Sequence, residues 1–100
     1  SYIFVKSGYE LIRIDLSEIL FIKAADNYSV LYLKHEQIIT RMPISDLLSK
    51  IPAVNFIRVH KSYIIALDKI ERIEGNRLYI NQQEIPISKQ YKNSLINLLN

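Results

Sequence analysis

The sequence predicts a mainly β fold with one short internal helix and a C-terminal helix. Eighteen of the 100 residues are Ile and four are Val, and seven Tyr and three Phe add to them. Branched and aromatic side chains fit a pleated, half-buried surface, so this composition favours strands. Short polar segments with Gly, Asn or Asp separate the apolar runs, as is typical of tight turns between antiparallel strands.

Length and composition predict a single domain over residues 1–100. A chain of this size can form one hydrophobic core without disulfides or structural metals, but not two. There is no Cys, and the cytoplasm is the expected location. No apolar run approaches the ~18 residues of a membrane span, and no signal peptide is recognisable. The chain starts at Ser1 and not at Met, which fits a piece of a longer protein, although removal of Met from a complete protein would look the same.

Five strands are predicted in the first half of the chain, at residues 2–6, 9–14, 19–25, 28–33 and 37–42. Gly8 can supply the positive φ of a tight turn after the first strand. Asp26 and Asn27 predict the turn between the third and fourth strands, because both side chains hydrogen-bond readily to nearby backbone. These strands are therefore expected to pair with their neighbours along the chain.

The second half begins with the predicted internal helix, over residues 43–51. Pro43 favours a first helical turn, and Leu47, Leu48 and Ile51 form one apolar stripe. Further strands are predicted at 57–61, 63–67, 69–74, 77–80 and 84–87, with turns at residues 75–76 and 81–82.

The C-terminal residues predict an edge strand followed by a helix. Pro86 cannot donate a hydrogen bond to a neighbouring strand, which favours an edge position. Ser88 is predicted as the N-cap of the terminal helix. Within that helix, Tyr91, Leu95 and Leu99 recur at helical spacing and predict its buried face.

The densest concentration of charge lies inside an apolar, β-forming run, where Arg58, His60 and Lys61 occupy three of four positions. Alternation predicts that Ile57 and Val59 are buried and that Arg58 and His60 lie on the other face. A polyanion is the partner that such a strand fits, with Ser62 and Tyr63 adding hydroxyl donors. The alternative is a charged edge strand that prevents aggregation.

Three other features carry a functional and a structural interpretation side by side. The imidazole of His60 can fix a turn by bonding to backbone. The amides of Asn27 and Gln90 match the donor and acceptor of adenine in the major groove, although Asn27 also suits a turn. The helix start at Ser88-Lys89-Gln90 suits a phosphate, and Lys89 with Lys92 forms a second basic group.

Catalytic and metal sites find little support in the sequence. The two His residues, His35 and His60, are 25 positions apart, and there is no Cys to complete a metal site. Gly8 and Gly75 are the only glycines, so no glycine-rich phosphate loop is present. We therefore expect a protein that is not an enzyme and has no cofactor and no metal.

Several motifs resemble the LytTR DNA-binding domain. Phe56-x-Arg58-Val59-His60-x-Ser62-Tyr63-Ile64, followed by Leu67-Asp68-Lys69-Ile70, is similar to the most distinctive motif of that family. Further similar segments cover essentially the whole chain in the same order: Leu16-x-Glu18-Ile19-Leu20-Phe21-Ile22, Asn27-Tyr28, Leu47 to Ile51, and Ile85-Pro86-Ile87-Ser88-x-x-Tyr91.

The resemblance implies an elongated, antiparallel β-sheet arrangement that binds double-stranded DNA with loops placed in successive major grooves. Such domains are C-terminal output modules of bacterial two-component response regulators, behind a receiver domain, and they regulate transcription. Repeated half-sites are implied, and the isolated domain is expected to be a monomer or a weak dimer.

The resemblance also implies roles for individual residues. The base-contact candidates are Asn27, Lys61, Lys89 and Gln90. The candidates for DNA backbone contact or loop support are Tyr28, Arg58, His60, Ser62, Tyr63, Ser88 and Lys92. Lys61 stands where Arg is common, Gln90 where a basic residue is frequent, Ala66 where Asn is usual and Lys23 where an acid often stands, so the family's target sequence cannot be transferred.

Two other functions remain open at this stage. The departures at Lys23 and Ala66 leave room for a protein-interaction module that uses the same scaffold and its edge strands. RNA binding is disfavoured because the seven Tyr are scattered and do not form one stacking platform.

Overall fold

Ten strands and two helices make up the fold in the computed structural model, which describes residues 1–100. The strands are β1 Tyr2–Ser7, β2 Glu10–Asp15, β3 Ile19–Ala25, β4 Tyr28–Leu33, β5 Gln37–Thr40, β6 Phe56–His60, β7 Tyr63–Ala66, β8 Arg72–Glu74, β9 Arg77–Ile80 and β10 Gln83–Pro86. The helices are α1 Ile44–Lys50 and α2 Lys89–Leu99, and short 3-10 turns cover Leu16–Glu18 and Leu67–Lys69. Neither helix is long and apolar enough to cross a membrane.

All strands pair antiparallel, in three sheets. A five-stranded sheet has the order β5-β4-β3-β7-β6, while β1-β2 and β10-β9-β8 form two smaller sheets. The molecule measures 40 × 26 × 24 Å along its principal axes. The predicted fold class, an elongated antiparallel β arrangement with two helices, is confirmed.

The five-stranded sheet separates two hydrophobic clusters. On one face, α1 and the β1-β2 hairpin pack against it, with Val5, Leu31 and Leu47 fully buried. On the other, β9, β10 and α2 contribute Leu78, Ile85 and Leu95, which are also fully buried. The sheet is therefore covered on both sides, and the expectation that a chain of this length forms one hydrophobic core and not two is wrong.

The central strands show why this sheet forms from near-continuous apolar runs. In β7, Ile64 belongs to the first cluster and Ile65 to the second, because successive side chains of a strand point to opposite faces. In β3, all four residues of Ile19–Ile22 are buried, helped by an irregularity between Ile19 and Phe21 in the pairing with β4. Strands covered on both faces require such sequences.

The turn predictions are confirmed where residue type determined them. Gly8 and Gly75 have φ values of +63° and +60°, and Asp26 has +52°. The β9-β10 turn, at residues 81–82, also has positive φ at both positions. Pro86 lies on β10, an edge strand as predicted.

Several predicted boundaries are wrong, and the predicted N-cap Ser88 has the right position without a capping hydrogen bond. The strand predicted at 37–42 ends at Thr40, and that at 69–74 begins only at Arg72, because residues 67–69 form a 3-10 turn. Pro43 occupies the N-cap position of α1, one residue before the helix. Ser88 occupies the N-cap position of α2, but its hydroxyl makes no capping hydrogen bond. Leu99 is 44% exposed, because the last turn of α2 extends past the core.

Candidate nucleic-acid interface

Sheet topology brings the predicted turns to one end of the five-stranded sheet. Because β3 pairs antiparallel with β7, the end of β3 lies beside the start of β7, with Lys23 opposite Tyr63. The backbone N–H of Ala24 donates to the carbonyl of Ser62 over 2.8 Å. The β3-β4 turn, Asp26 and Asn27, therefore lies next to the β6-β7 turn, Lys61 and Ser62.

Two further segments lie at the same end. The N–H of Ser88 donates to the carbonyl of Val59 over 2.9 Å, which places the start of α2 beside β6. On the opposite side, Ser29 pairs with Thr40, so the residues after β5 lie beside the β3-β4 turn. We name this end the loop edge; in order across the sheet it comprises residues 41–42, 26–27, 61–62 and 88–90.

A network of side-chain to backbone hydrogen bonds fixes the β6-β7 turn. The Arg58 Nε donates to the carbonyl of His60 over 3.3 Å, and its Nη2 donates to the carbonyl of Lys61. The Nδ1 of His60 accepts the backbone N–H of Ser62 over 3.0 Å. Two side chains, those of Arg58 and His60, thus hold the turn, and the side chain of Lys61 remains exposed.

Packing beneath the turn supports this network. Val59 is fully buried, as the alternation predicted, whereas Ile57 packs against the same cluster but is only half-buried. The rings of His60 and Tyr63 meet edge to face, with centroids 5.6 Å apart. The Lys23 Nζ lies 5.7 Å from the Tyr63 ring centroid, within the range of a cation–π contact.

The β3-β4 turn and the start of α2 present free polar groups. Asn27 is exposed, and Tyr28, the first residue of β4, is 40% exposed. Lys89 and Gln90 are exposed at the first two positions of α2. Because the Ser88 hydroxyl does not cap α2, N–H groups of its first turn have no side-chain acceptor from this residue.

Lys92 stands apart from the other candidates. Its Nζ donates to the Oδ1 of Asn76, in the β8-β9 turn, over 3.0 Å. The carbonyl of Asn76 also accepts the N–H of Ile87 over 2.8 Å. Lys92 therefore links α2 to the three-stranded sheet, whereas Lys89 makes no such bond.

Ion pairs lie away from the loop edge. Carboxylates within 4.0 Å pair with Arg13, Lys34, Lys69 and Arg77. Lys61 and Lys89 have no such partner. The loop edge therefore combines unpaired cations with exposed amides, a combination suited to a polyanion with base edges.

Away from the loop edge, on the exposed side of β9, partial burial and the charge of Glu84 raise the pKa of Tyr79.

Sequence reasoning missed the residues after β5. Arg41 is exposed and has no carboxylate within 4.0 Å. The sequence does show a cation, Arg41, two residues before Pro43. It lies in the part of the predicted strand 37–42 that extends two residues beyond β5. Only the pairing of Thr40 with Ser29 reveals that Arg41, the next residue, lies at the same end of the sheet as the β3-β4 turn.

Comparison with known proteins identifies the family. Residues 9–100 match the model of the LytTr DNA-binding domain. The chain belongs to the LytTR family. DNA binding in transcription regulation is therefore the function class of this LytTR domain.

Its relatives include response regulators. The LytTR domain is 30% identical over 81 residues to transcriptional regulatory protein YpdB of Escherichia coli K12, covering 74% of the chain and 33% of YpdB. It is 26% identical over 91 residues to an uncharacterized response regulatory protein of Vibrio cholerae, covering 82% of the chain and 35% of that protein. The chain thus spans about a third of these relatives' length.

A solved structure shares the fold. It is described as the LytTr DNA-binding domain of a methyl-accepting/DNA response regulator from Bacillus cereus. The TM-score is 0.86 at 20% identity, and the alignment covers 100% of this LytTR domain and 97% of the other chain. The agreement extends to β1, which precedes the residues matched by the family model.

Proposed function

We propose that this LytTR domain binds double-stranded DNA sequence-specifically through the loop edge, as the output domain of a cytoplasmic bacterial response regulator. The observation that carries the proposal is the juxtaposition of two turns and a helix start, which brings Asn27, Lys61, Lys89 and Gln90 to one end of the sheet. A rigid sheet end with unpaired cations can position a duplex and contact its bases at once.

Base contacts in the major groove fall to the exposed side chains of the turns. The Asn27 amide fits the adjacent acceptor and donor of adenine, and the Gln90 amide has the same chemistry. The Lys61 ammonium fits the acceptors of guanine. Lys89 is a further base-contact candidate, because it leads into the same helix start as Gln90.

Phosphate contacts and loop support fall to the remaining residues. Arg58 and His60 hold the β6-β7 turn, and Arg58 still has N–H donors free after its two backbone bonds. The start of α2 offers backbone N–H groups and the positive end of the helix dipole to a phosphate. Tyr28, Ser62 and Tyr63 add hydroxyl donors, and Lys92 braces α2 through Asn76.

Selection from a pool of random duplexes tests sequence specificity. The purified chain is incubated with the pool at low salt, and the bound fraction is sequenced after several rounds. We expect an enriched motif containing adenine or guanine at the positions contacted by Asn27 and Lys61. Recovery of duplexes without any enriched motif would contradict sequence-specific binding.

Salt dependence measures the electrostatic contribution. If the loop edge neutralises roughly four to six phosphates, log affinity should fall with log salt concentration with a slope on the order of −4 to −5. Titration of a fluorescent duplex at several salt concentrations measures this slope. A slope near zero would contradict phosphate contact by the loop edge.

In a full-length protein we propose an upstream receiver domain that brings two copies together on repeated half-sites. The isolated domain would then be a monomer or a weak dimer. Spacing between repeats of the enriched motif would report this arrangement directly.

A protein-interaction module is the second candidate, favoured by the β1-β2 hairpin. The outer edge of β2 has no strand partner, and Tyr2, Phe4 and Leu11 are exposed on this hairpin. A partner chain could add a strand to that edge. The duplex selection separates the two functions, because this candidate predicts no enriched motif.

A further inference from the structure

The residues after β5 are fixed by the only two buried polar side chains in the protein, Ser29 and Thr40. The Ser29 hydroxyl donates to the carbonyl of Met42 over 2.9 Å. The backbone N–H of Met42 donates to the Thr40 Oγ1 over 3.2 Å. Both hydroxyls thus hold the backbone of one residue, Met42, which directly follows Arg41.

This arrangement does more than satisfy two buried hydroxyls. Ser29 and Thr40 are paired across β4 and β5, with 1% and 3% of their surface exposed. Apolar residues at these positions would pack in the sheet without the cost of burying hydroxyls. The two hydrogen bonds therefore fix the path of the chain between β5 and α1, and with it the position of Arg41.

Arg41 lies at the outer end of the loop edge, on the side of Asn27 away from Lys61. With strands about 4.8 Å apart, the strand order places Arg41 about 7 Å from the β3-β4 turn, measured across the sheet perpendicular to the strands. The β6-β7 turn lies about 10 Å from the β3-β4 turn on the other side. Arg41 is thus a flanking cation of the proposed interface.

The surroundings of Arg41 leave its guanidinium free. It borders a shallow depression lined by Lys6, Gly8, Thr40, Arg41, Met42, Pro43 and Asp46. The Asp46 carboxylate does not come within 4.0 Å of a guanidinium nitrogen, and a second cation, Lys6, lines the same depression. A planar guanidinium held beside a groove-binding turn is well suited to a backbone phosphate.

We propose that Arg41 binds a phosphate of the DNA backbone that flanks the base contacts, and that Ser29 and Thr40 are positioning residues for it. The inference rests on the proposed function of the loop edge. It adds a fourth contact segment to the two turns and the helix start, and it predicts that the DNA footprint extends past the β3-β4 turn.

Arg41→Ala tests the contact, with Arg13→Ala as a matched control because Arg13 is exposed but paired with Asp15. We expect Arg41→Ala to weaken binding about tenfold, equally on the selected duplex and on random duplex. The salt slope should become shallower by about one. Arg41→Lys should retain most of the affinity, and Arg13→Ala should bind like the wild type.

Three outcomes of this experiment would overturn the inference. Unchanged affinity and slope in Arg41→Ala, while Lys61→Ala loses affinity, would refute the contact and leave the proposed function standing. A loss confined to the selected duplex would show base contact and refute the phosphate assignment. Absence of DNA binding by the wild-type chain would refute the proposed function itself.

Thr40→Val tests positioning, because Val keeps the shape of Thr and removes the hydroxyl. We expect this change to weaken binding about threefold to tenfold in the wild-type background, and not further in the Arg41→Ala background. Thr40→Ser, which keeps the hydroxyl, should restore affinity, and Ser29→Ala should behave like Thr40→Val. Equal losses in both backgrounds would refute positioning, because a general structural defect does not depend on Arg41.

Discussion

Lys61→Ala is expected to weaken binding to the selected duplex by about 1–3 kcal/mol and to relax base preference at one position of the motif. The Lys61 side chain is exposed, and only its backbone carbonyl contributes to the turn. The substitution therefore removes a base contact without removing a hydrogen bond of the fold. Competition titrations with the selected duplex and its single-base variants measure both effects.

Lys34→Ala is the matched control for this experiment. Lys34 is exposed, pairs with Glu18 over 3.4 Å and lies in the β4-β5 turn, at the end of the sheet opposite the loop edge. We expect the affinity of Lys34→Ala for the selected duplex to stay within about twofold of the wild type, since exposed ion pairs contribute little to stability. Equal losses for Lys61→Ala on selected and random duplexes would mean that Lys61 contacts phosphate and not a base.

Leu31→Ala is expected to lower the free energy of unfolding by about 2–5 kcal/mol. Leu31 lies in β4 with no exposed surface, between the sheet and the layer formed by α1 and the β1-β2 hairpin. Truncation removes buried apolar surface and leaves a cavity that a paired strand cannot close by moving. The thermal midpoint should fall by at least about 10 °C in a domain of this size.

Leu11→Ala provides the control of the same residue type. Leu11 lies on β2 with 71% of its surface exposed, so the change should alter the free energy of unfolding by less than about 0.5 kcal/mol. Urea denaturation followed by circular dichroism measures both variants. Similar losses for the two would contradict the assignment of Leu31 to the core.

The sequence predicted those features that depend on near neighbours. Gly8 is predicted in a turn because glycine tolerates positive φ, and Asp26 because its side chain bonds to nearby backbone; both adopt positive φ. The alternation around Val59 predicted its burial. The continuous apolar run of β3 predicted a strand, and all four residues of Ile19–Ile22 are buried, as such runs favour.

Features that depend on distant partners could not be predicted. Pairing of Ile22 with Ile64 joins segments 42 positions apart, and it alone brings Asn27 next to Lys61. The donors of Arg58 could serve DNA or the chain itself, and only the folded turn shows two of them bound to carbonyls. The sequence placed Arg41 inside a strand over 37–42, whereas β5 ends at Thr40, and the bonds of Ser29 and Thr40 to Met42 fix the chain beyond it.

The central position of β3 and β7 determines how slowly their amide hydrogens exchange with solvent. Each of these strands is hydrogen-bonded on both sides and buried on both faces, so the amides of Ile22 and Ile64 should exchange only when the whole domain unfolds. The two turns proposed to contact bases are attached directly to the ends of these strands. They should therefore lose little conformational entropy on meeting DNA, and association should be limited by encounter and not by ordering of the turns.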